Sequence, residues 1–142
     1  GRGPVTGLPM PRFVSMKVDE GYARRGPSST HRIDWVFQRR NMPLLLVDEY
    51  GQWRRVQDRE GAGGWMHYSL LSGNRSVIVE PDMVDLYRRP SAQAPVSARL
   101  QSGVVAWLGE CQDEWCMIEA QGVEGWAPTT ALWGVAPEDV GH

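Results

Sequence analysis

Four groups of residues occur twice in this chain, in the same order and at nearly the same intervals. The groups are Ala23–Pro27 and Tyr87–Pro90, Gly51–Trp53 and Asp113–Trp115, Gly64–Trp65 and Gly125–Trp126, and Leu70–Gly73 and Ala131–Gly134. The proline and the first tryptophan are 26 residues apart in the first copy and 25 in the second, and the two tryptophans are 12 and 11 apart. Such a repeat indicates two copies of one structural unit in tandem.

Each copy spans about 50 to 60 residues, a size at which a domain folds by itself around a small core. Its segments are short, rich in Val, Leu, Trp and Tyr, and separated by Gly, Pro and Asp, which is typical of strands and turns. Five or six such strands are too few for a two-layer sandwich, but they can close into a small barrel. We therefore predict an all-β fold with barrels at residues 13–80 and 81–142, preceded by an extended arm at 1–12.

The turn residues set the strand boundaries. In the first copy they predict strands at 13–18, 33–37, 43–50, 53–58 and 63–67, a tight turn through 69–72, and a closing strand at 76–79. In the second copy they predict strands at 85–88, 97–100, 104–110, 115–119 and 125–127. Pro81 and Asp82 mark a short link between the copies.

The two cysteines, Cys111 and Cys116, flank a polar turn between two apolar runs, which indicates a hairpin. Residues five apart across a tight hairpin can face one another at the separation that a disulfide requires. A zinc site is the weaker alternative because too few ligands lie nearby, and the spacing is not the Cys-x-x-Cys of redox proteins. We predict a structural disulfide, which indicates an oxidising compartment outside the cytoplasm.

The motifs of the first copy resemble those of a known family. Arg24, the turn Gly26-Pro27-Ser28, Gly51, Trp53 and Gly64-Trp65-Met66 stand in the order typical of bacterial SH3-like (SH3b) domains. Segments 7–13, 33–37 and 133–135 also resemble uncharacterised exported proteins of this family from alphaproteobacteria. The chain departs from the family pattern at Gly21-Tyr22-Ala23, where the family has an apolar residue, Asn and Val, so we expect either an irregular strand or an altered site there.

The resemblance implies a pair of SH3-like barrels that bind peptidoglycan, cell-wall peptides or envelope proteins, because such modules commonly accompany cell-wall hydrolases as targeting parts. Residues for catalysis are few: His31, His67 and His142 lack metal-ligand spacing, and no Gly-x-Ser-x-Gly motif occurs. The acidic pair Asp48-Glu49 adjoins a predicted turn, where a solvated loop is commoner than a catalytic carboxylate pair. We predict no enzymatic activity, no cofactor and no metal site.

Seven tryptophans in 142 residues indicate a binding surface, with core packing as the competing explanation. The candidate ligand-binding residues lie at strand ends or turns, where a groove of the eukaryotic type presents aromatic rings to an extended ligand: Tyr22, Trp53, Tyr68, Tyr87 and Trp115. Trp107 and Trp133 occur only in the second copy, and we predict that they pack between the copies or against a partner. Trp65 and Trp126 are expected to cover the barrel interior.

Charge is distributed unevenly along the chain. The net charge of −2 combines +2 in residues 1–12, +3 in 13–79 and −7 in 80–142. This asymmetry favours contact between the halves, or an anionic partner for the first and a cationic one for the second; two merely solvated surfaces are the alternative. A pI near 5.9 and an acidic second half argue against a nucleic-acid partner.

These observations lead to two hypotheses of function. The first is a periplasmic or secreted binding module, its leader already removed, that recognises peptidoglycan peptide or an extended segment of an envelope protein. The second is a structural accessory subunit of a larger envelope or membrane complex. The longest apolar run, at 44–47, is far shorter than a membrane span.

Overall fold

The computed structural model describes residues 1–140, so His142 of the histidine inventory lies outside the described residues. The fold is all-β, and the chain divides into two compact units, residues 1–74 and residues from 75 onward. Each unit contains one seven-stranded sheet that closes around its own core. The prediction of two small tandem β-barrels is therefore confirmed.

The first strand of the first unit is β1, and its last is a very short closing strand. Its elements are β1 (Arg12–Met16), β2 (Gly21–Arg24), β3 (Ile33–Phe37), β4 (Pro43–Tyr50), β5 (Trp53–Gln57), β6 (Gly63–His67), a 3-10 turn (Tyr68–Leu70) and β7 (Leu71–Ser72). The strands lie in the order β3-β2-β6-β5-β4-β1-β7, and β3 is an edge strand.

The second unit repeats this plan. Its elements are β8 (Ser76–Val79), β9 (Met83–Tyr87), β10 (Val96–Gln101), β11 (Val105–Gln112), β12 (Trp115–Ala120), β13 (Val123–Pro128), a 3-10 turn (Thr129–Ala131), β14 (Leu132–Trp133) and a last 3-10 turn (Pro137–Asp139). The order is β10-β9-β13-β12-β11-β8-β14, so each strand of the first unit corresponds to the strand seven places later. The sequence repeat is therefore a repeat of topology as well.

Alternating residues of the strands form the two cores. The first core contains Val14, Met16, Ala23, Phe37, Leu44, Leu46, Val56, Met66 and Leu71, and the second is built largely from Val77, Val79, Leu86, Leu100, Cys116, Ile118 and Ala127. Met66 and Ala127 point inward, so the neighbouring Trp65 and Trp126 lie on the other face of their strands. On that face Trp126 is buried, at 5% exposed, as expected for a residue that covers the barrel, whereas Trp65 is half-buried.

The sequence pattern predicts that the strand at Ser76–Val79 closes the first unit, but the structure shows that it does not. It is β8, the first strand of the second unit, and it pairs with β11 and β14. The first unit is instead closed by the two residues of β7, which pair with β1. An apolar run directly after a turn fits either role, and only the long-range pairing distinguishes them.

The strand at Gly21–Arg24 pairs regularly with β3 from Gly21 to Ala23, and the register shifts between Ala23 and Arg24, so the expected irregularity lies at the end of the strand. A side chain on Gly21 would meet the methyl group of Met66, because an added Cβ would lie 2.6 Å from that carbon. In the second unit Val84 and Ala127 occupy the corresponding positions. The first unit thus packs a glycine against a large side chain, whereas the second packs a larger side chain against an alanine, so the combined volume is similar.

The leading residues do not form an extended arm. Arg2 and Pro9 form an isolated β-bridge, and the backbone N–H of Gly3 donates to the carbonyl of Leu8 at 2.8 Å. The segment is therefore a closed loop, which we call the N-terminal loop (residues 1–9), and it belongs to the first unit. Its glycines and prolines produce turns instead of an extended chain.

Candidate functional site

A row of aromatic side chains crosses the first unit near the ends of β5 and β6. Trp53 and His67 are cross-strand partners, and their rings meet edge-on with centroids 5.5 Å apart. The ring of Tyr68, the next residue, lies 4.9 Å from that of His67. Antiparallel partners project to the same face of a sheet, so the hairpin register itself creates this aromatic row (Trp53, His67 and Tyr68).

Hydrogen bonds fix the orientation of His67. Its Nδ1 accepts from the backbone N–H of Ser69 at 3.3 Å and lies 2.7 Å from the hydroxyl of the same residue. Its Nε2 lies 3.3 Å from the side-chain oxygen of Gln52. An accepting Nδ1 leaves the proton on Nε2, which then donates to Gln52. The imidazole is thereby held as a rigid wall between the two larger rings.

Arg54 supports the exposed end of the row. Its guanidinium carbon lies 5.9 Å from the centre of the Tyr68 ring, within the range of a cation–π interaction. Its Nη1 donates to the carbonyl oxygens of Gly51 and Trp53 at 2.8 and 2.9 Å. The arginine is buried, whereas Tyr68 is 50% exposed. The tyrosine ring is thus held in place while one face stays available to a ligand.

A groove of about 230 Å³ opens beside Tyr68. Side chains from the N-terminal loop, four strands and the 3-10 turn line it, together with the backbone that follows β7: Thr6, Leu8, Arg12, Val14, Leu46, Arg54, Tyr68, Leu71, Ser72 and Gly73. The surface is chiefly apolar, with two guanidinium groups at its border. A groove with an aromatic rim and a few polar groups is the usual form of a small-ligand or peptide site.

Glu49 anchors the N-terminal loop that forms one wall of the groove. This residue is 3% exposed, and its carboxylate accepts from the backbone N–H groups of Val5 and Thr6 at 3.1 and 3.0 Å. It also accepts from the Thr6 hydroxyl at 2.6 Å and pairs with Arg12 at 2.9 Å. Burial raises the pKa of the Glu49 carboxyl, but these hydrogen bonds outweigh burial and lower the pKa to about 2.

The second unit holds a disulfide at the corresponding position. Glu49 and Arg54 are cross-strand partners between β4 and β5, and Cys111 and Cys116 are cross-strand partners between β11 and β12. The two cysteines are bonded, with their Cα atoms 4.0 Å apart, which confirms the predicted disulfide. One unit therefore secures this hairpin with a buried ion pair and a loop, and the other with a covalent bond.

The aromatic row is incomplete in the second unit. Trp115 corresponds to Trp53, but Pro128 and Thr129 stand where the first unit has His67 and Tyr68. Tyr87 contacts Trp115 edge-on at 5.5 Å, so these two candidates form a separate pair. The structure thus places Trp53 with Tyr68 and Tyr87 with Trp115, in different units.

The remaining candidates lie apart from the groove. Tyr22, on β2, is 43% exposed opposite Val36 of edge strand β3. Trp107 lies on β11 with 38% of its surface exposed, and Trp133 is half-buried on β14. The partner-packing role predicted for these two tryptophans stays a prediction.

Two members of the site, His67 and Arg54, are absent from the sequence-based candidates. The signal for His67 was present: pairing Trp53 with the residue opposite it in the β5–β6 hairpin identifies the histidine. Arg54 gave no such signal, because its role depends on the turn at Gly51 and on the 3-10 turn that follows β6.

Across residues 1–140, no group of three or more His, Cys, Asp or Glu side chains is placed to hold a metal ion. No helix among the described residues is long and apolar enough to cross a membrane.

Comparison with known proteins gives a family match for most of the chain. The family model described as "Bacterial SH3 domain" matches twice, at residues 17–73 and 80–134. No curated protein matches the chain.

Two solved structures are similar at the level of backbone shape. They are NlpC2 and NlpC1 from Trichomonas vaginalis, each with 11% sequence identity and a TM-score of 0.41. The matches cover 89% and 94% of this chain but only 49% of each of those chains. The present chain therefore spans about half the length of these structures.

Proposed function

The chain belongs to the bacterial SH3 domain family, and from that premise we propose that it is a non-catalytic binding module of the cell envelope. The groove beside Tyr68 in the first unit receives a peptidoglycan peptide in an extended conformation. The second unit, which lacks the aromatic row, mainly stabilises or orients the first. The proposal rests on one observation above all: a rigidly supported, half-exposed tyrosine at the rim of an apolar groove.

The chemistry of the groove suits a short extended peptide. Aromatic rings give a large contact area at a low cost in conformational entropy, particularly when they are already held in place, as Tyr68 is by His67 and Arg54. The apolar floor, including Leu8 and Leu71, accepts aliphatic side chains such as those of alanine-rich wall peptides. The arginines at the border favour a ligand that carries a carboxylate.

The disulfide supports a location outside the cytoplasm. Such bonds persist in oxidising compartments and are rare where thiols are kept reduced. Cys111 and Cys116 are bonded to each other, and no other cysteine occurs in the chain. On this basis we propose that the protein is periplasmic or secreted.

A binding role without catalysis accounts for the polar groups near the groove. Glu49, the buried carboxylate beside it, is fully engaged by the N-terminal loop and Arg12, so it has no position from which to transfer a proton to a ligand. The histidine of the aromatic row is likewise engaged at both ring nitrogens.

Cosedimentation with purified sacculi tests the proposal. We expect the full chain to sediment with sacculi. We expect Tyr68→Ala to weaken binding at least tenfold, because tyrosine is enriched among the hot-spot residues whose truncation costs about 2 kcal/mol or more. Tyr22→Ala is the matched control: Tyr22 is 43% exposed on β2 but does not line the groove. Its binding should equal that of the wild type.

Three results would contradict the proposal. A chain that ignores sacculi but copurifies with a membrane complex is an accessory subunit. Equal losses for the two tyrosine variants would place the binding surface outside the groove. Release of soluble fragments from sacculi by the purified chain would make it an enzyme.

A further inference from the structure

Edge strand β3 of the first unit exposes an unusual amount of apolar surface. Ile33 is 42% exposed, Trp35 47% and Val36 38%, and Tyr22 on the neighbouring strand is 43% exposed. Tyr22 and Val36 are directly opposite one another and so share a face of the sheet. On its outer side, β3 has no neighbouring strand among the described residues. An open strand edge with apolar side chains is a template for pairing with another chain.

The corresponding edge of the second unit is protected by charge. Edge strand β10 carries Arg99 where β3 has Val36, and β9 carries Asp85 where β2 has Tyr22. These two side chains form an ion pair at 2.8 Å. Ala98 takes the place of Trp35. The two units therefore share one topology but differ in the side chains at this edge, which is apolar in the first unit and carries an ion pair in the second.

Cationic groups surround the beginning of β3. Asp34 accepts from Arg25 at 3.2 Å and from Arg32 at 2.9 Å, so two guanidinium groups face one carboxylate. Arg24 and Arg55 flank Trp65 on the adjoining face, because the three residues are successive cross-strand partners.

A polar pocket of about 130 Å³ opens beside this edge. Its lining includes Arg24, Arg25, Asp34 and Arg55, together with the glycine-rich turn before β6. Counting Arg32, four arginines stand beside two acidic side chains, Asp34 and Asp48, the latter being the cross-strand partner of Arg55. Several guanidinium groups close together attract a carboxylate most strongly.

We propose that β3 is a docking site for an extended acidic segment of a partner protein, which adds to the sheet as a further antiparallel or parallel strand. The segment alternates apolar residues, which cover Trp35 or Val36, with glutamate or aspartate residues, which reach the arginines around the polar pocket. Backbone hydrogen bonds along the edge supply affinity, and the charge supplies selectivity. This site is separate from the groove beside Tyr68, and the segment and a wall peptide bind different surfaces of the first unit.

Fluorescence anisotropy with synthetic peptides tests the site on the full chain. The probe is a labelled peptide of about eight residues in which valine and glutamate alternate, long enough to span one strand. One comparison peptide has lysine in place of glutamate, and another is N-methylated at alternate backbone positions, which removes the donors that a strand requires. We expect the glutamate peptide to bind at least tenfold more tightly than either, and its binding to weaken as salt is added.

Two variants connect binding to β3. The double variant Tyr22→Asp with Val36→Arg copies the ion pair of the second unit into the same register, so the fold has a precedent for it, and it should bind at least tenfold more weakly. Arg55→Gln leaves the apolar edge intact and should weaken binding of the glutamate peptide alone. Met83→Asp with Gln101→Arg places a matched pair of charges on the second unit and should change nothing.

Several results would overturn the proposal. If the lysine peptide binds as tightly as the glutamate peptide, charge complementarity is excluded. If the N-methylated peptide binds as tightly, the added strand is excluded. Unchanged binding by the folded double variant, checked by circular dichroism, would place the site elsewhere. A dimer in sedimentation that becomes monomeric in the double variant would assign the edge to a second copy of this chain.

Discussion

Replacing Glu49 with glutamine removes the one charge on which the N-terminal loop depends. The pKa of this carboxyl is about 2 in the folded protein against 4.5 ordinarily, so the folded state favours the charged form. Each pKa unit corresponds to 1.36 kcal/mol, so the charge stabilises the first unit by about 3 kcal/mol at neutral pH. Because the folded pKa is lowered, this stabilisation is complete above pH 4.5 and is lost as the pH falls toward about 2. Glu49→Gln should lack it at every pH.

Hydrogen exchange during urea titration provides the measurement, because it reports the free energy of unfolding for each unit separately. At neutral pH we expect the first unit of Glu49→Gln to lose about 3 kcal/mol, and the second unit to be unchanged. Between pH 4.5 and about 2 the wild type should approach the variant. Glu20→Gln, at an exposed position of the first unit, is the matched control and should follow the wild type throughout.

Two results would contradict this expectation. The stability of Glu49→Gln could stay within about 1 kcal/mol of the wild type at neutral pH, or wild type and variant could lose stability in parallel as the pH falls. Either result would mean that the hydrogen bonds to Val5, Thr6 and Arg12 do not favour the charged form.

Two further substitutions test the packing of each unit. Cys111→Ser opens the short loop closed by the disulfide and should lower the free energy of unfolding of the second unit by about 2 kcal/mol, with the first unit unchanged, as read by hydrogen exchange. Thiol titration that finds two free cysteines in the natively isolated protein would contradict the bond itself. Gly64→Ala places a Cβ 2.5 Å from the carbonyl oxygen of Arg24, at a φ of +157°, and should destabilise the first unit by about 2 kcal/mol in urea unfolding. Gly73→Ala, where an added Cβ meets no atom within 4 Å, should have almost no effect, and equal effects of the two glycine substitutions would count against the close approach of β2 and β6.

Much of the fold follows from the sequence because turn residues punctuate it so clearly. The predicted strands at 33–37, 43–50 and 63–67 coincide with β3, β4 and β6. The disulfide followed from the hairpin between Cys111 and Cys116. The assignment of 76–79 failed because strand pairing is a long-range property: β8 is defined by its partners β11 and β14, and not by the turn before it.

The candidate site was harder to predict because its parts are distant along the chain. Aromatic residues at turns identified Trp53 and Tyr68, but Glu49 and the N-terminal loop meet across more than 40 residues, and the contact gives no local pattern. The sequence also does not indicate which apolar side chains are exposed. Tyr22 and Trp35 lie on the short neighbouring strands β2 and β3, and only the position of β3 at the edge of the sheet distinguishes Trp35 from a core residue.

The central claim, that the first unit recognises the ligand through the groove beside Tyr68, is tested most directly by NMR. The labelled full chain is titrated with a soluble muropeptide released from peptidoglycan, and the chemical shifts of both units are followed together. We predict saturable shifts at Trp53, His67, Tyr68 and the loop residues Thr6 and Leu8, with the second unit unchanged. Shifts confined to Tyr87 and Trp115, or none at all up to millimolar muropeptide, well above the concentrations at which typical binding modules saturate, would contradict the account.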